Sequence, residues 1–277
     1  MLFPLVNKSF LERCCTPLQP QSPTPPSVFI YREKYLVKFG PHVHPGEIEV
    51  MDLLNTQCLP VPKVLHHGND PGTGWYYFYM RRVEGRILSD VWDHLSHSQQ
   101  HEIVIQLQRI IGTMRLNKNN HIGSLGGLPC NDNFFVAPLL RERAKCRQRY
   151  YGPFSDGKAF TEGIAQYLTT AGVCDEEDRH MQCTLRDMLQ MGSKSEDEFV
   201  LTHGEIAAEN ILVEDGNVVA ILDWNQAGFY PVYWEYVKAW LFEPWSYFQR
   251  DNVIPSIMNQ YDNELSIMKH AYDLVWR

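Results

Sequence analysis

The chain has 277 residues, 44% of them hydrophobic and 21% charged, with a formal net charge of −8. That length and mix suffice for one large domain or two lobes around a substantial core. The acidic balance argues against a nucleic-acid surface, which needs a basic patch, and is compatible with a neutral or cationic small-molecule partner.

No run of 18 apolar residues occurs, so no membrane span is expected. The opening "MLFPLVNKSF" lacks a basic stretch followed by an apolar core, so a secretory signal is not expected, and the acceptor pattern Asn7-Lys8-Ser9 is discounted with it. Seven cysteines (Cys14, Cys15, Cys58, Cys130, Cys146, Cys174 and Cys183) are odd in number and lack C-x-x-C spacing. They read as reduced thiols of a cytoplasmic protein. His42 and His44 alternate as a metal pair on a strand would, but a solvated loop is the better reading.

In chain order, residues 17–26, "PLQPQSPTPP", hold five prolines in ten positions and read as a linker or extended arm. The β-rich runs Val28–Tyr31 and Tyr35–Phe39 then form a hairpin. "GEIEVMDLLN" puts Val50, Met51 and Leu54 three, four and seven positions after Glu47, one helical face. "LPVPKVLHHG" is extended, and "GWYYFYMRRVEG" is a further strand. After Gly85 the pattern turns helical. Ile103, Leu107, Ile110, Ile111 and Met114 share a face, with Ser96 and Gln99 at capping-box spacing ahead of it. "GSLGGLPC" is a loop; its glycines do not follow a strand, so it is no dinucleotide fingerprint. Residues 160–191 and 255–275 read as helices. The expected organisation is an arm at 1–26, a small β-rich lobe at 27–84 and a larger α-rich lobe at 85–277.

One β-like stretch lies inside the second lobe: "LTHGEIAAENILVEDGNVVAILDW", residues 201–224. Asp215-Gly216 between β-branched runs predicts a two-residue hairpin turn. Counting outward places Glu214 opposite Asn217 and Asn210 opposite Ile221, with Asp223 on the same face as Asn210. An amide oxygen and a carboxylate at that spacing make a sparse, hard-oxygen site suited to Mg²⁺ completed by water and phosphate. Glu205, on the loop entering the hairpin, reaches the space beside it. The alternative is a surface hairpin with polar ends.

The order "HGEIAAEN", then "ILDW" after a short hairpin, resembles the catalytic and metal loops of the aminoglycoside phosphotransferase family, kinase-like small-molecule phosphotransferases. "VKFG" around Lys38, "LPVPKVL", "MRRVEGRILSDVW", "IGSL", "YYGPF" and "DWNQAGFYPVYWEYVKAW" resemble further stretches, typical of fungal members. Roughly residues 28–245 are covered. The resemblance implies an α+β, protein-kinase-like two-lobed fold with a catalytic β-hairpin. It implies transfer of the γ-phosphoryl of ATP, with Mg²⁺, to a hydroxyl of a small molecule.

The resemblance also implies roles. Lys38 matches the lysine that holds the phosphates, and Glu47, in preference to Glu49, the helix glutamate that pairs with it. Met80, Arg81 and Val83 lie where the linker meets adenine, and Leu212 and Leu222 where an apolar floor lies under the base. Asn210 and Asp223 match the metal-binding pair. His203 matches a residue that braces the catalytic loop, and Glu205 stands at the catalytic carboxylate.

Three departures accompany this match. Glu205 stands where the family pattern has Asp; no Gly-rich phosphate loop is evident; and Asn225 and Gln226 follow "DW" where an acidic and an aromatic residue are usual. Glu205 and the absent phosphate loop support a pseudokinase acting by interaction; Glu205 together with the aromatic run at 224–248 supports a kinase fold recruited to non-kinase biosynthetic chemistry on an apolar substrate, with Glu205 as acid or base. Residues 224–248 carry eleven aromatics in 25 positions, which suits a packed helix pair or a wall for a flat substrate.

Overall fold

The computed structural model describes residues 3–18, 27–136, 151–170, 179–194, 198–241, 248 and 251–276. Its first part is a five-stranded antiparallel sheet in the order β1-β2-β3-β5-β4. The strands are β1 (Cys15–Pro17), β2 (Val28–Tyr31), β3 (Tyr35–Gly40), β4 (Val64–Asn69) and β5 (Tyr76–Arg81). Strand alternation divides the two faces. On β3 and β5, Val37, Phe39, Tyr77 and Tyr79 point one way and are buried under Val6 and Leu11 from the N-terminal segment. Lys38 pairs in register with Phe78, facing the rest of the molecule.

The residues before the Pro-rich stretch are therefore built into the sheet. Helix α1 (Lys8–Cys14), capped by the Asn7 side chain, runs into β1, and the Tyr79 hydroxyl donates to the Pro4 carbonyl. Burying Val6 and Leu11 contributes about 1.5–3 kcal/mol each. Leu11 lies in the chain's first helix, whose other residues are exposed or half-buried.

Helix α2 (Pro45–Thr56) starts with proline at its first turn and buries Ile48, Val50, Met51 and Leu54. Its N-cap is His44, whose ring accepts from the Gly46 N–H. His44 is buried, so the solvated-loop reading holds only for His42, which is exposed. Gly46 is required here: a Cβ would stand 2.9 Å from the His44 ring and 3.0 Å from Ser124. Close approach to the 124–127 loop thereby holds α2 in place.

The larger part holds β6 (Arg86–Ile87), α3 (Leu88–Val91), α4 (His97–Met114), β7 (Lys118–Asn119), α5 (Gly157–Thr170), α6 (Arg179–Lys194), β8 (Phe199–Thr202), β9 (Ile211–Glu214), β10 (Asn217–Ile221), β11 (Gly228–Tyr230), α7 (Trp234–Leu241), α8 (Val253–Ile257) and α9 (Asp262–Trp276). The capping box Ser96/Gln99 forms in full at the start of α4. Residues 171–178, inside the expected helix 160–191, lie outside the described residues, as do Cys146 and Cys174. Cys14, Cys15, Cys58, Cys130 and Cys183 are free thiols.

This part contains more than one hairpin. β9 and β10 are joined by β6 into one three-stranded sheet, and β7, β8 and β11 form another. Strands of two to five residues are too short to show a clear alternation of their own. The main core is continuous from α2 and Phe78 through α4, β8 and β9 to α7 and α9.

The aromatic run is packing where it is described, residues 242–247 lying outside the described residues. Trp224, Tyr230, Trp234 and Tyr236 are buried in this core, Tyr230 stacking on Trp234. Among the described residues no helix is long and apolar enough to cross a membrane.

Candidate active site

The turn Asp215-Gly216 takes positive φ at both residues, 49° and 78°, as a tight two-residue hairpin requires. Glu214 pairs with Asn217 as counted, but a bulge between Val218 and Ala220 shifts the rest by one. Ile211 then faces Ile221, and the Leu222 N–H donates to the Asn210 carbonyl at 2.7 Å. The expected Asn210–Ile221 pairing is thus corrected to Asn210–Leu222. A bulge adds one unpaired residue that strict counting from a turn cannot see. Beyond it, Asp223 adopts φ 59°, ψ 60°, a left-handed conformation uncommon outside glycine. That turn swings its carboxylate toward the sheet of the first lobe.

There it meets Lys38. The Lys38 Nζ donates to Asp223 Oδ1 at 2.8 Å and to Glu47 Oε1 at 2.6 Å. Glu47, not Glu49, is therefore the partner. Burial opposes the charged ammonium, but Asp223 and Glu47 outweigh it and hold the Lys38 pKa above its ordinary value. The same lysine holds Asp223 below the usual carboxylate range. Burial pushes Glu47 up to about 7, and its Oε2 is buried without a hydrogen-bond partner. The Asp223 side chain is 43% exposed. It opens on a cavity of about 940 Å³ lined by Lys38, Gly40, His42, Trp75 and Asn225, among others.

The loop after β8 is held from several sides. The backbone N–H groups of His203 and Gly204 donate to the two oxygens of Glu235 on α7, at 2.6 and 3.0 Å. The Glu205 N–H donates to His203 Nδ1, and His203 Nε2 lies 2.8 Å from the Leu222 carbonyl. Accepting at Nδ1 leaves the proton on Nε2, so this ring is neutral. Burial lowers its pKa to about 4. His203 thus ties the loop to the strand end that carries Asp223. Gly204 has φ +84°, and a Cβ there would press on Gln226 at 3.1 Å.

Asn210 donates its amide N–H to the Glu205 carbonyl at 2.9 Å, which commits its nitrogen and leaves Oδ1 as the free acceptor. Glu205 Oε2 accepts from Gln226 Nε2. Burial and the Asp223 charge push the Glu205 pKa up, while Lys238 and the Gln226 amide pull it down.

The five residues read as base contacts are arranged differently. Met80 and Leu212 are buried, and Leu222 is half-buried. Arg81 and Val83 line a separate groove with Glu33, Lys34 and Tyr35. None of the five lines the cavity of Lys38 and Asp223.

The model of the APH phosphotransferase enzyme family matches residues 28–270. The chain belongs to that family. A curated relative, the hygromycin-B 4-O-kinase of Escherichia coli, is 24% identical over 204 residues, covering 68% of this chain and 49% of that protein. The chain thus spans about half the length of the curated relative it matches. Among solved structures, a thermostable mutant of aminoglycoside phosphotransferase APH(4)-Ia in its apo form superposes with a TM-score of 0.62 at 18% identity, covering 97% of this chain and 89% of the other. APH(3'')-Id from Streptomyces rimosus gives 0.52 at 15% identity, covering 90% and 89%. At such identities these structures establish the kinase-like two-lobed fold.

Four residues of this APH-family site had no role assigned from the sequence: Glu235, Lys238, Asp132 and Gln226. Glu235 and Lys238 interrupt the apolar run "YPVYWEYVKAWL" three positions apart, on one face of α7. Charges set in such a run signal buried polar work. Lys238 Nζ bonds Asp132 Oδ1 at 2.6 Å, and Asp132 also accepts from the Trp234 indole. Nothing local marks Asp132 as their partner.

Proposed function

We propose that the protein transfers the γ-phosphoryl group of ATP, with Mg²⁺, to a hydroxyl of a small molecule. The observation that carries this reading is the Lys38 ammonium, shared between Glu47 of one lobe and Asp223 of the other beside the cavity. Phosphoryl transfer needs little covalent help from a protein; it needs fixed charge and alignment. On this reading Lys38 holds the α- and β-phosphates.

Asn210 and Asp223 fit Mg²⁺. The amide nitrogen of Asn210 is committed, its oxygen is free, and Asp223 opens on the cavity. Two oxygen ligands are too few for a tight bare site, so phosphate and water oxygens complete the ion. When bound, Mg²⁺ supplies neutralisation of phosphate charge. Glu205 Oε2 is occupied by Gln226, so Oε1 remains to orient the acceptor hydroxyl and take its proton as oxygen joins phosphorus and ADP departs. The APH relatives solved with AMP-PNP and hygromycin B, or with ADP and streptomycin, support a polar, hydroxyl-rich acceptor class.

A kinase fold without phosphotransfer is the second reading. It is favoured by the absence of Met80, Arg81, Val83, Leu212 and Leu222 from the lining of the Lys38–Asp223 cavity. Thermal denaturation with MgATP, followed by γ-phosphoryl transfer to a panel of aminocyclitol and other polyol acceptors, tests both. Nucleotide at a hundred times its Kd stabilises the fold by about 2.7 kcal/mol on the first reading. No stabilisation and no transfer favours the second.

A further inference from the structure

We propose that Gln226 is the positioning residue that fits a glutamate to this site, its amide clamping the Glu205 carboxylate in one orientation. The inference rests on the reading of Glu205 as the group that meets the acceptor hydroxyl. The geometry leaves the amide one orientation. Gln226 Oε1 accepts from two donors, Lys238 Nζ at 2.9 Å and the Asn133 backbone N–H at 3.0 Å. Neither can be met by an amide nitrogen, so the NH₂ must face Glu205.

The donors are themselves fixed. Lys238 is held by Asp132, which is fully buried and also accepts from the Trp234 indole and the Phe134 N–H. Gln226 is 3% exposed and wedged beside Gly204, where only glycine leaves room for it. A rigid chain of polar contacts therefore runs from a buried ion pair to one oxygen of Glu205.

This chain accounts for two of the sequence departures together. An aspartate would end one methylene short, by about 1.5 Å, and would lose the amide. A glutamate reaches it but carries one more rotatable bond, whose freedom would blur the placement of the base. Gln226 removes that freedom at Oε2 and leaves Oε1 for the acceptor. The Glu at 205 and the Gln at 226 act as one unit.

The clamp is read directly in ¹H–¹⁵N spectra of the full-length, nucleotide-free protein, with the Gln226 side-chain amide assigned through its backbone so that no Gln226 variant is needed. Its signal is expected to move in Glu205→Asp; an unmoved signal overturns the proposal. Kinetics give the second arm, with whichever acceptor the wild type turns over. Gln226→Met is expected to lower kcat roughly 10- to 100-fold, the cost of misplacing a catalytic group by about 1 Å, with KM for ATP little changed. In the Glu205→Asp background the same substitution is expected to cost less than about threefold, because coupled groups fail to add. Equal losses in both backgrounds overturn the proposal. A wild type that phosphorylates no acceptor refutes the phosphotransfer reading instead, and the spectra then decide the clamp alone. They also decide it if Gln226→Met does not fold.

Discussion

The Lys38 ammonium and the Asp223 carboxylate, 185 positions apart in the chain, meet at 2.8 Å across the interface of the two lobes. The contact depends on three local features: strand alternation that turns Lys38 inward, helix α2 that brings Glu47 up behind it, and the left-handed backbone at Asp223. Each is separately weak. Together they place one cation between two carboxylates at the mouth of a cavity.

Removing that cation should be costly. Lys38→Met leaves Glu47 buried with neither oxygen paired, and Asp223 without its partner. Breaking one side of a buried ion pair costs about 3 kcal/mol or more. Urea denaturation of the variant is expected to show that loss at pH 8 and less of it at pH 6: the wild-type Glu47 pKa is about 7 and losing Lys38 raises it further, so at pH 6 the glutamate is protonated in both proteins. An equal loss at both pH values would mean that the glutamate is not the source.

Stability should fall with acid because of His44. Burial lowers its pKa from 6.5 to about 4. Between those values the unfolded chain binds a proton that the folded one refuses, so unfolding becomes easier as pH drops. His44→Asn keeps an acceptor at the N-cap and abolishes the titration. The slope of unfolding free energy against pH between 6.5 and 4 is expected to flatten by up to about 1.4 kcal/mol per unit. Guanidinium titrations at several pH values read it, and an unchanged slope refutes the assignment.

Glu235 holds the loop after β8 by its backbone. Glu235→Gln offers one oxygen to two N–H donors and turns an NH₂ against the other. The loss is expected to be about 2 kcal/mol, the weight of a charge-assisted hydrogen bond. Hydrogen exchange at the His203 and Gly204 amides should quicken about 30-fold, while exchange in β3 stays as it was. Uniform quickening would point to global destabilisation rather than to a loop anchor.

On the proposed reaction, Glu205→Gln keeps the shape and removes the base. Turnover is expected to fall by roughly 10²–10⁴, with MgATP binding retained by calorimetry. Asp223→Ala should do the reverse, removing Mg²⁺-dependent nucleotide binding itself. If both variants bind and turn over like the parent, the cavity at Lys38 is not the place of the chemistry.

Much of the site's inventory could be read from local pattern. Asp215-Gly216 declares its hairpin because the two-residue turn demands positive φ at both central residues. The Lys38 strand and the α2 face follow from periods of 2 and 3.6, and Ser96/Gln99 from cap chemistry. The bulge at Val219 was invisible to such counting, as was the burial of His44 at an N-cap, because each answers to a neighbour outside its own segment.

The sequence by itself determined the hairpin at Asp215-Gly216, the faces of α2 and α4 and the order of the motif residues that carry the family resemblance, since each of these depends on residues close together in the chain. Beyond the Lys38–Glu47 pair that the resemblance implied, only the tertiary structure decided which charges are buried together. Lys238 meets Asp132 at a separation of 106 positions, and Gln226 meets Glu205 at 21. Burial makes those meetings obligatory, because a charge or amide removed from water must find its partner within the fold. Which partner it finds depends on how whole elements pack, and no short window of sequence contains that information.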